Sequence, residues 1–142
     1  MEVFFYGLFM DSSILSKNGI QSTNPRKGYL ENYTLKIGNR ASLIPSKGGK
    51  SYGLVMTVNS DKIQSLYAEA SVSDYVPEEV EIILDSGEKL KATCYNLPLE
   101  LLTGTNESYA KSLYRLAQTL DFPKEYLDEI KQMSQKPDGT TG

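Results

Sequence analysis

The chain of 142 residues contains no histidine, no tryptophan and a single cysteine, Cys94. Without histidine, a Ser-His-Asp triad, a Cys-His pair and any imidazole-bound zinc are excluded. With one thiol, no disulfide can form within the chain. An excess of basic charge is also missing: the formal net charge is −3, and the sequence has no block of about five or six like charges. Nucleic-acid binders carry a basic face or tail, and membrane-surface binders a polybasic patch, so neither partner is expected. Long apolar runs are missing as well. The longest, Val3 to Met10, is broken by Gly7 and closed by Asp11, too short for a bilayer span. Glu2 stands where a signal peptide would carry basic residues, so the expected location is cytoplasmic.

What is abundant is tyrosine, ten residues against four phenylalanines. Tyrosine offers an apolar body with a hydrogen-bonding tip, which suits a core, an interface or the wall of a pocket. Any chemistry must therefore come from carboxylates, tyrosines, lysines and backbone amides.

The pattern of elements predicts an α+β fold. "EVFFYG" reads as a first strand and "MDSSILSKNGI" as a short helix ending at Asn18-Gly19. "QSTNPRK" reads as a loop and "GYLENYTLKIG" as a strand with Tyr33, Leu35 and Ile37 on one face. "NRASLIPSKGGKSYGLVMTV" reads as a strand, a turn at Pro-Ser-Lys-Gly-Gly-Lys, and a return strand from Ser51 to Val58. Asn59 or Ser60 caps a helix that carries Ile63, Leu66 and Tyr67, and a hairpin follows with its turn at Asp85-Ser86-Gly87. Two late helices close the pattern. The first has Tyr109, Leu113, Leu116 and Leu120 on one face; the second, opened by Pro123, turns Leu127, Ile130 and Met133 inward. Five to six strands joined mostly by hairpins predict a small mixed barrel or strongly curved sheet with flanking helices. Residues 1–134 are expected to form one domain, and residues 135–142, with nothing to bury, a disordered tail.

Several residues invite a chemical reading. Gly7 stands where a strand gives way to a helix; it either makes a plain turn or bares backbone N–H groups for an anion. Glu69, in "LYAEASVSDY" between Ala68 and Ala70, is either a surface glutamate at a helix end or a partly buried general base. Glu78, Glu79 and Glu81 look solvated, with at most one facing inward. Cys94 alternates with Ala92 and Asn96 in a strand and reads as a buried structural thiol. Lys47 and Lys50 flank two glycines without the spacing of a phosphate-binding loop.

Taken in order, "FFYGLFM", "GYLENYTLKI", "RASLIPSKGGKSYGLVMTV", "LYAEASVSDYVPEEVEI" and "FPKEYLDEI" resemble the gamma-glutamylcyclotransferase-like family, over Val3 to about Ile130. The resemblance implies a small barrel whose cavity converts a γ-glutamyl amine or amino acid to 5-oxoproline without metal or cofactor. It assigns Tyr6 and Gly7 to the substrate loop, with Leu8, Phe9 and Met10 supplying further amides for the substrate's α-carboxylate. Glu69 falls at the catalytic glutamate, Tyr75 at the aromatic residue that follows it, and Tyr52-Gly53 at a pair in a barrel strand. Leu8 departs from the family's serine or threonine and removes a hydroxyl donor. Phe9 replaces a polar residue of glutathione-type members, which points to a different or bulkier substrate. These two departures also keep open an alternative, a non-catalytic protein that keeps the cavity and binds a small carboxylate. The expected ligand is in either case a small molecule. A scaffold using its tyrosines as an interface is a third reading.

Overall fold

The computed structural model describes residues 1–69 and 72–133. The tail expected to be disordered, residues 135–142, lies outside them, as does Ala70.

Five strands form a closed barrel: β1 (Glu2–Phe5), β2 (Thr23–Ile37), β3 (Ala41–Thr57), β4 (Val76–Leu84) and β5 (Lys89–Asn96). The order around the barrel is β1-β3-β2-β4-β5. All pairings are antiparallel except β1 with β5, which meet in parallel at Val3 and Thr93 and close the barrel. Four helices accompany it among the described residues: α1 (Ser12–Lys17), α2 (Ser60–Tyr67), α3 (Glu107–Thr119) and α4 (Lys124–Met133). The α+β barrel with flanking helices is thus the observed fold, at the lower of the two expected strand counts. None of these helices is long and apolar enough to cross a membrane.

Alternation is seen in β4 but not in β1. Val3, Phe4 and Phe5 are all buried because β1 has the core on one side and packed chain on the other, whereas β4 buries only Val80 and Ile82 of its first residues. Gly53 sits in β3 because any side chain there would collide with the Phe5 carbonyl oxygen of β1.

Two expectations about local structure are corrected. "QSTNPRK" is not a loop throughout: β2 already begins at Thr23, but its register slips between Thr23 and Arg26. Pro25 has no N–H to give the ladder, and Asn24 takes a left-handed φ of 55°. The slip aims Arg26 at the Glu2 carboxylate, to which it is ion-paired. The second correction concerns Pro-Ser-Lys-Gly-Gly-Lys, which does not reverse the chain. β3 runs on through it, and the register shift from Tyr33↔Pro45 to Glu31↔Lys50 makes residues 46–49 a bulge opposite Asn32. Gly48, at φ +82°, donates its N–H to the Asn32 side chain at 3.1 Å. The true reversal is at residues 38–40, where the Gly38 N–H reaches the Arg40 carbonyl at 2.9 Å.

The helices follow their caps. Asp11 caps α1 by accepting from the Ser13 N–H, Asn59 caps α2 through Lys62, and Asn106 caps α3 through Tyr109. The most buried stripe of α3 is Ala110, Leu113 and Ala117, with Tyr109, Leu116 and Leu120 only half-buried beside it. Small residues let α3 lie close, so the larger ones move to its flanks. On α4, Tyr126 and Ile130 are buried, while Leu127 and Met133 are half-buried.

Candidate active site

β1 delivers the chain into the wall of a cavity of about 380 Å³, a volume suited to a small metabolite. Tyr6, the residue after β1, is buried, and its hydroxyl donates to the Tyr95 carbonyl of β5 at 2.7 Å. Gly7 follows with φ −110°, a value that any residue adopts. Its requirement is space. A Cβ at Gly7 would collide with the hydroxyl oxygen of Tyr109, which projects from the first turn of α3. That oxygen accepts the Leu8 N–H at 3.3 Å. The Met10 N–H closes a 3-10 turn onto the Gly7 carbonyl at 3.0 Å. Two of the three loop amides expected to face a ligand therefore already have protein partners. Tyr6, Gly7, Leu8 and Phe9 line the cavity; Met10 does not, because its side chain is buried in the core.

Aromatic rings make up much of the remaining wall. Phe9 meets Phe5 and Tyr67 edge to face, with ring centres 6.2 and 6.3 Å apart. Tyr67 stacks flat on Tyr95 at 3.9 Å, and Tyr75 lies 5.8 Å from Tyr67. The Tyr75 hydroxyl donates to the Ala41 carbonyl at 2.7 Å. Burial raises the pKa of Tyr6, Tyr67, Tyr75 and Tyr109. These phenols stay protonated at neutral pH. The protons of Tyr6 and Tyr75 are committed to backbone carbonyls, whereas Tyr109, whose oxygen accepts from Leu8, keeps its own to donate to a ligand; none can serve as a base.

No carboxylate is found among the described residues that line the cavity, and the one charged side chain there is Arg40. Glu69 is exposed, just past the end of α2, and is not part of the lining. Its backbone is fixed from both sides: its N–H donates to the Leu66 carbonyl at 3.2 Å, and its carbonyl accepts from Val72 at 3.0 Å. Tyr67 and Val72, on either side of it in sequence, both line the cavity. Glu69 thus stands close in sequence to two residues of the cavity wall without being one itself.

The other candidates lie elsewhere. Cys94 is fully buried, with its thiol pKa raised chiefly by burial, as a structural cysteine should be. Glu78 is exposed and holds the Asn96 amide at 2.6 Å and the Tyr33 hydroxyl at 3.2 Å. Tyr52 belongs to a second aromatic cluster away from the cavity lining. Lining residues that the sequence did not single out are Asn39, Arg40, Tyr95 and Asn106; Tyr109 was assigned only to a helix face. The excess of tyrosine was the available signal for the rings. Nothing marked Arg40, which sits in a hairpin turn.

Comparison with known proteins bears on this arrangement. No curated protein matches the sequence significantly. Among solved structures, one described as a gamma-glutamyl cyclotransferase superposes with a TM-score of 0.76 at 20% identity, covering 100% of this chain and 91% of that one. An uncharacterized protein from Homo sapiens gives 0.76 at 21% identity, over 99% and 90% of the two chains. YkqA from Bacillus subtilis gives 0.77 at 20% identity, over 96% of this chain and 54% of its own. At such identities these likenesses show the shared barrel fold. The sequence itself matches the model of a family described as gamma-glutamyl cyclotransferase, AIG2-like, over residues 3–116. On that match, which spans most of the chain, the protein belongs to the AIG2-like gamma-glutamyl cyclotransferase family.

Proposed function

We propose that the protein cyclises a γ-glutamyl amine or γ-glutamyl amino acid to 5-oxoproline and releases the amine, with Glu69 as the general base. The observation that carries this reading is the cavity built on Tyr6, Gly7, Leu8 and Phe9, the loop that family resemblance assigns to the substrate. Its ligand would be a small molecule, with neither nucleic acid nor membrane as partner, and its setting the cytoplasm.

The chemistry asks little of the protein. An α-ammonium with a pKa of about 8 becomes a nucleophile on losing a proton, which Glu69 accepts. The amine nitrogen then bonds to the γ-carbonyl carbon, closing a five-membered ring. Because the attack is intramolecular, folding the substrate in a shaped cavity supplies much of the acceleration. A protonated phenol such as Tyr109 can donate to the developing oxyanion. The ring nitrogen sheds its second proton as the intermediate collapses and the bond to the leaving amine breaks; that amine gains both protons, one of them returned by Glu69, and departs as an ammonium. Leu8 and Phe9 make the loop bulkier and less polar than a hydroxyl-bearing one, which favours a leaving group other than that of glutathione.

A second reading is favoured by a specific observation. Glu69 is exposed, and no described lining residue is a carboxylate, as suits a protein that binds a small carboxylate without turning it over. The test is 5-oxoproline release from a panel of γ-glutamyl amides by the wild type and by Glu69→Gln. A fall of about a hundredfold or more is expected from loss of the base. Turnover that survives the substitution unchanged removes Glu69 from the mechanism. Binding without turnover in the wild type establishes the second reading.

A further inference from the structure

Arg40 is the one charged side chain among the described residues lining the cavity, whose other walls are largely aromatic and aliphatic. It occupies the reversal between β2 and β3, and its position is set by backbone rather than by its own contacts. The neighbouring Asn39 N–H donates to the Thr103 carbonyl at 2.6 Å, and the Asn39 side chain accepts from the Thr103 N–H at 3.3 Å. The Asn106 side chain adds a bond to the Asn39 carbonyl at 3.3 Å. The turn is therefore bolted to the loop before α3 and presents Arg40 at a fixed place on the cavity wall.

The guanidinium is poorly matched by the protein. Both Nη atoms reach the same Asp74 oxygen, each at 3.5 Å, the long limit of a hydrogen bond. Nε is buried and has no partner. The guanidinium carbon lies 6.0 Å from the centre of the Tyr75 ring, at the outer edge of a cation–π contact. A planar fork of five donors, made to grip a carboxylate with two parallel bonds, has among the described residues only two long hydrogen bonds, both to one oxygen of a half-exposed aspartate. In the loop that was expected to hold the ligand's carboxylate, by contrast, the Leu8 and Met10 amides are already engaged.

We infer that Arg40 is the carboxylate anchor of the cavity: a ligand carboxylate displaces the loose Asp74 contact and pairs with the guanidinium. The inference rests on the cavity being the ligand site, and it holds whether or not the bound ligand is turned over. A γ-glutamyl amino acid offers two carboxylates, one on the glutamyl carbon that bears the amine and one on the leaving group, whereas a γ-glutamyl amine offers only the first. Arg40 can take either, and the choice decides which leaving groups the site prefers.

The experiment is ligand binding to the Glu69→Gln protein, read by tyrosine fluorescence or calorimetry. The probes are γ-glutamyl-ethylamide and γ-glutamyl-alanine, tested with Arg40 intact, Arg40→Met and Asp74→Asn. Arg40→Met is expected to weaken binding by tenfold or more. If both probes weaken equally, Arg40 holds the glutamyl carboxylate; if γ-glutamyl-alanine alone weakens, it holds that of the leaving group. Asp74→Asn, which removes the competing negative charge and leaves Arg40 in place, is expected to tighten binding severalfold. A merely structural Arg40 predicts the opposite, because losing its partner would loosen the rim. Unchanged affinity in Arg40→Met, with a melting curve like the parent's, overturns the inference. Parallel 5-oxoproline assays on the protein with Glu69 intact report the proposed reaction separately, so either idea can fail alone.

Discussion

Two aromatic clusters are built into this small barrel, and they differ in what the helices bring to them. In one, Tyr52 of β3 is surrounded by Tyr29 of β2 and by Phe122 and Tyr126 from the helical end of the chain, with ring centres 5.6, 6.0 and 5.0 Å away. Phe122 and Tyr126 are buried, and the space is filled. In the other, Phe5, Phe9, Tyr67, Tyr75 and Tyr95 stand around open volume. There the chain crossing the wall is a three-residue 3-10 turn, Leu8–Met10, and the nearby helix contributes Tyr109. The same residue type thus serves as mortar where rings from the helical end of the chain pack together and as wallpaper where they stand around open volume. On the second side hydroxyl tips fix the wall, Tyr6 and Tyr75 donating to backbone carbonyls of β5 and β3.

Truncating one ring on each side tests the contrast most severely. Tyr126→Ala leaves a void in filled space and is expected to cost about 3–5 kcal/mol in denaturant unfolding. Tyr67→Ala adds to volume already open and is expected to cost about 1–3 kcal/mol, because less packing is lost. Equal losses would mean the cavity wall is packed as tightly as the helix junction.

A second substitution probes the close approach at the cavity. Gly7→Ala is expected to destabilise by about 1–3 kcal/mol, since the Tyr109 hydroxyl must move. Removing that oxygen with Tyr109→Phe in the same chain is expected to recover most of the loss. Additive losses in the double-mutant cycle would show that the glycine is needed for another reason.

The smallest effect is expected far from both clusters, at Glu2. Burial pushes its carboxyl up, but hydrogen bonds from Arg26 and Thr57 outweigh it and leave the pKa lowered. A group depressed in the folded state contributes stability that is full above its unfolded pKa and is lost as pH falls through the folded one. Glu2→Gln should therefore lower stability at neutral pH by less than about 1 kcal/mol, the site being largely solvent-screened. The difference from wild type should shrink below the usual carboxylate range. A constant difference down to pH 2 would remove the ion pair as its cause.

The fold was largely legible because its signals are local. The β-prone run in "EVFFYG", the cap at Asn59 and the Asp85-Ser86-Gly87 turn each need only a few neighbouring residues. What misled was punctuation used for another purpose: the glycines at 48 and 49 allow a bulge inside β3 instead of ending it, and Pro25 makes a register slip instead of a loop. The site was legible only along the chain. Tyr6, Gly7, Leu8, Phe9 and Tyr75 were marked by order of motifs and do line the cavity. Arg40 and Asn106 carry no pattern of their own, because they reach the cavity through a turn and a helix cap whose positions depend on tertiary contacts. Gly7 also illustrates the limit: its place in sequence suggested a turn or an anion-binding loop, whereas what requires a glycine there is a tyrosine side chain from α3.

The parallel seam between β1 and β5 has a consequence in time. The Tyr6 hydroxyl and the Tyr95 carbonyl that it locks onto are 89 residues apart, whereas the β2–β3 hairpin can zip from a three-residue reversal. Contacts of such long range must overcome a large loop-closure entropy before they return any energy. The two walls of the cavity are therefore expected to join late in folding. A nascent chain acquires its hairpins well before it has anywhere to hold a metabolite, and ligand present at that late step would be drawn to the closed form alone.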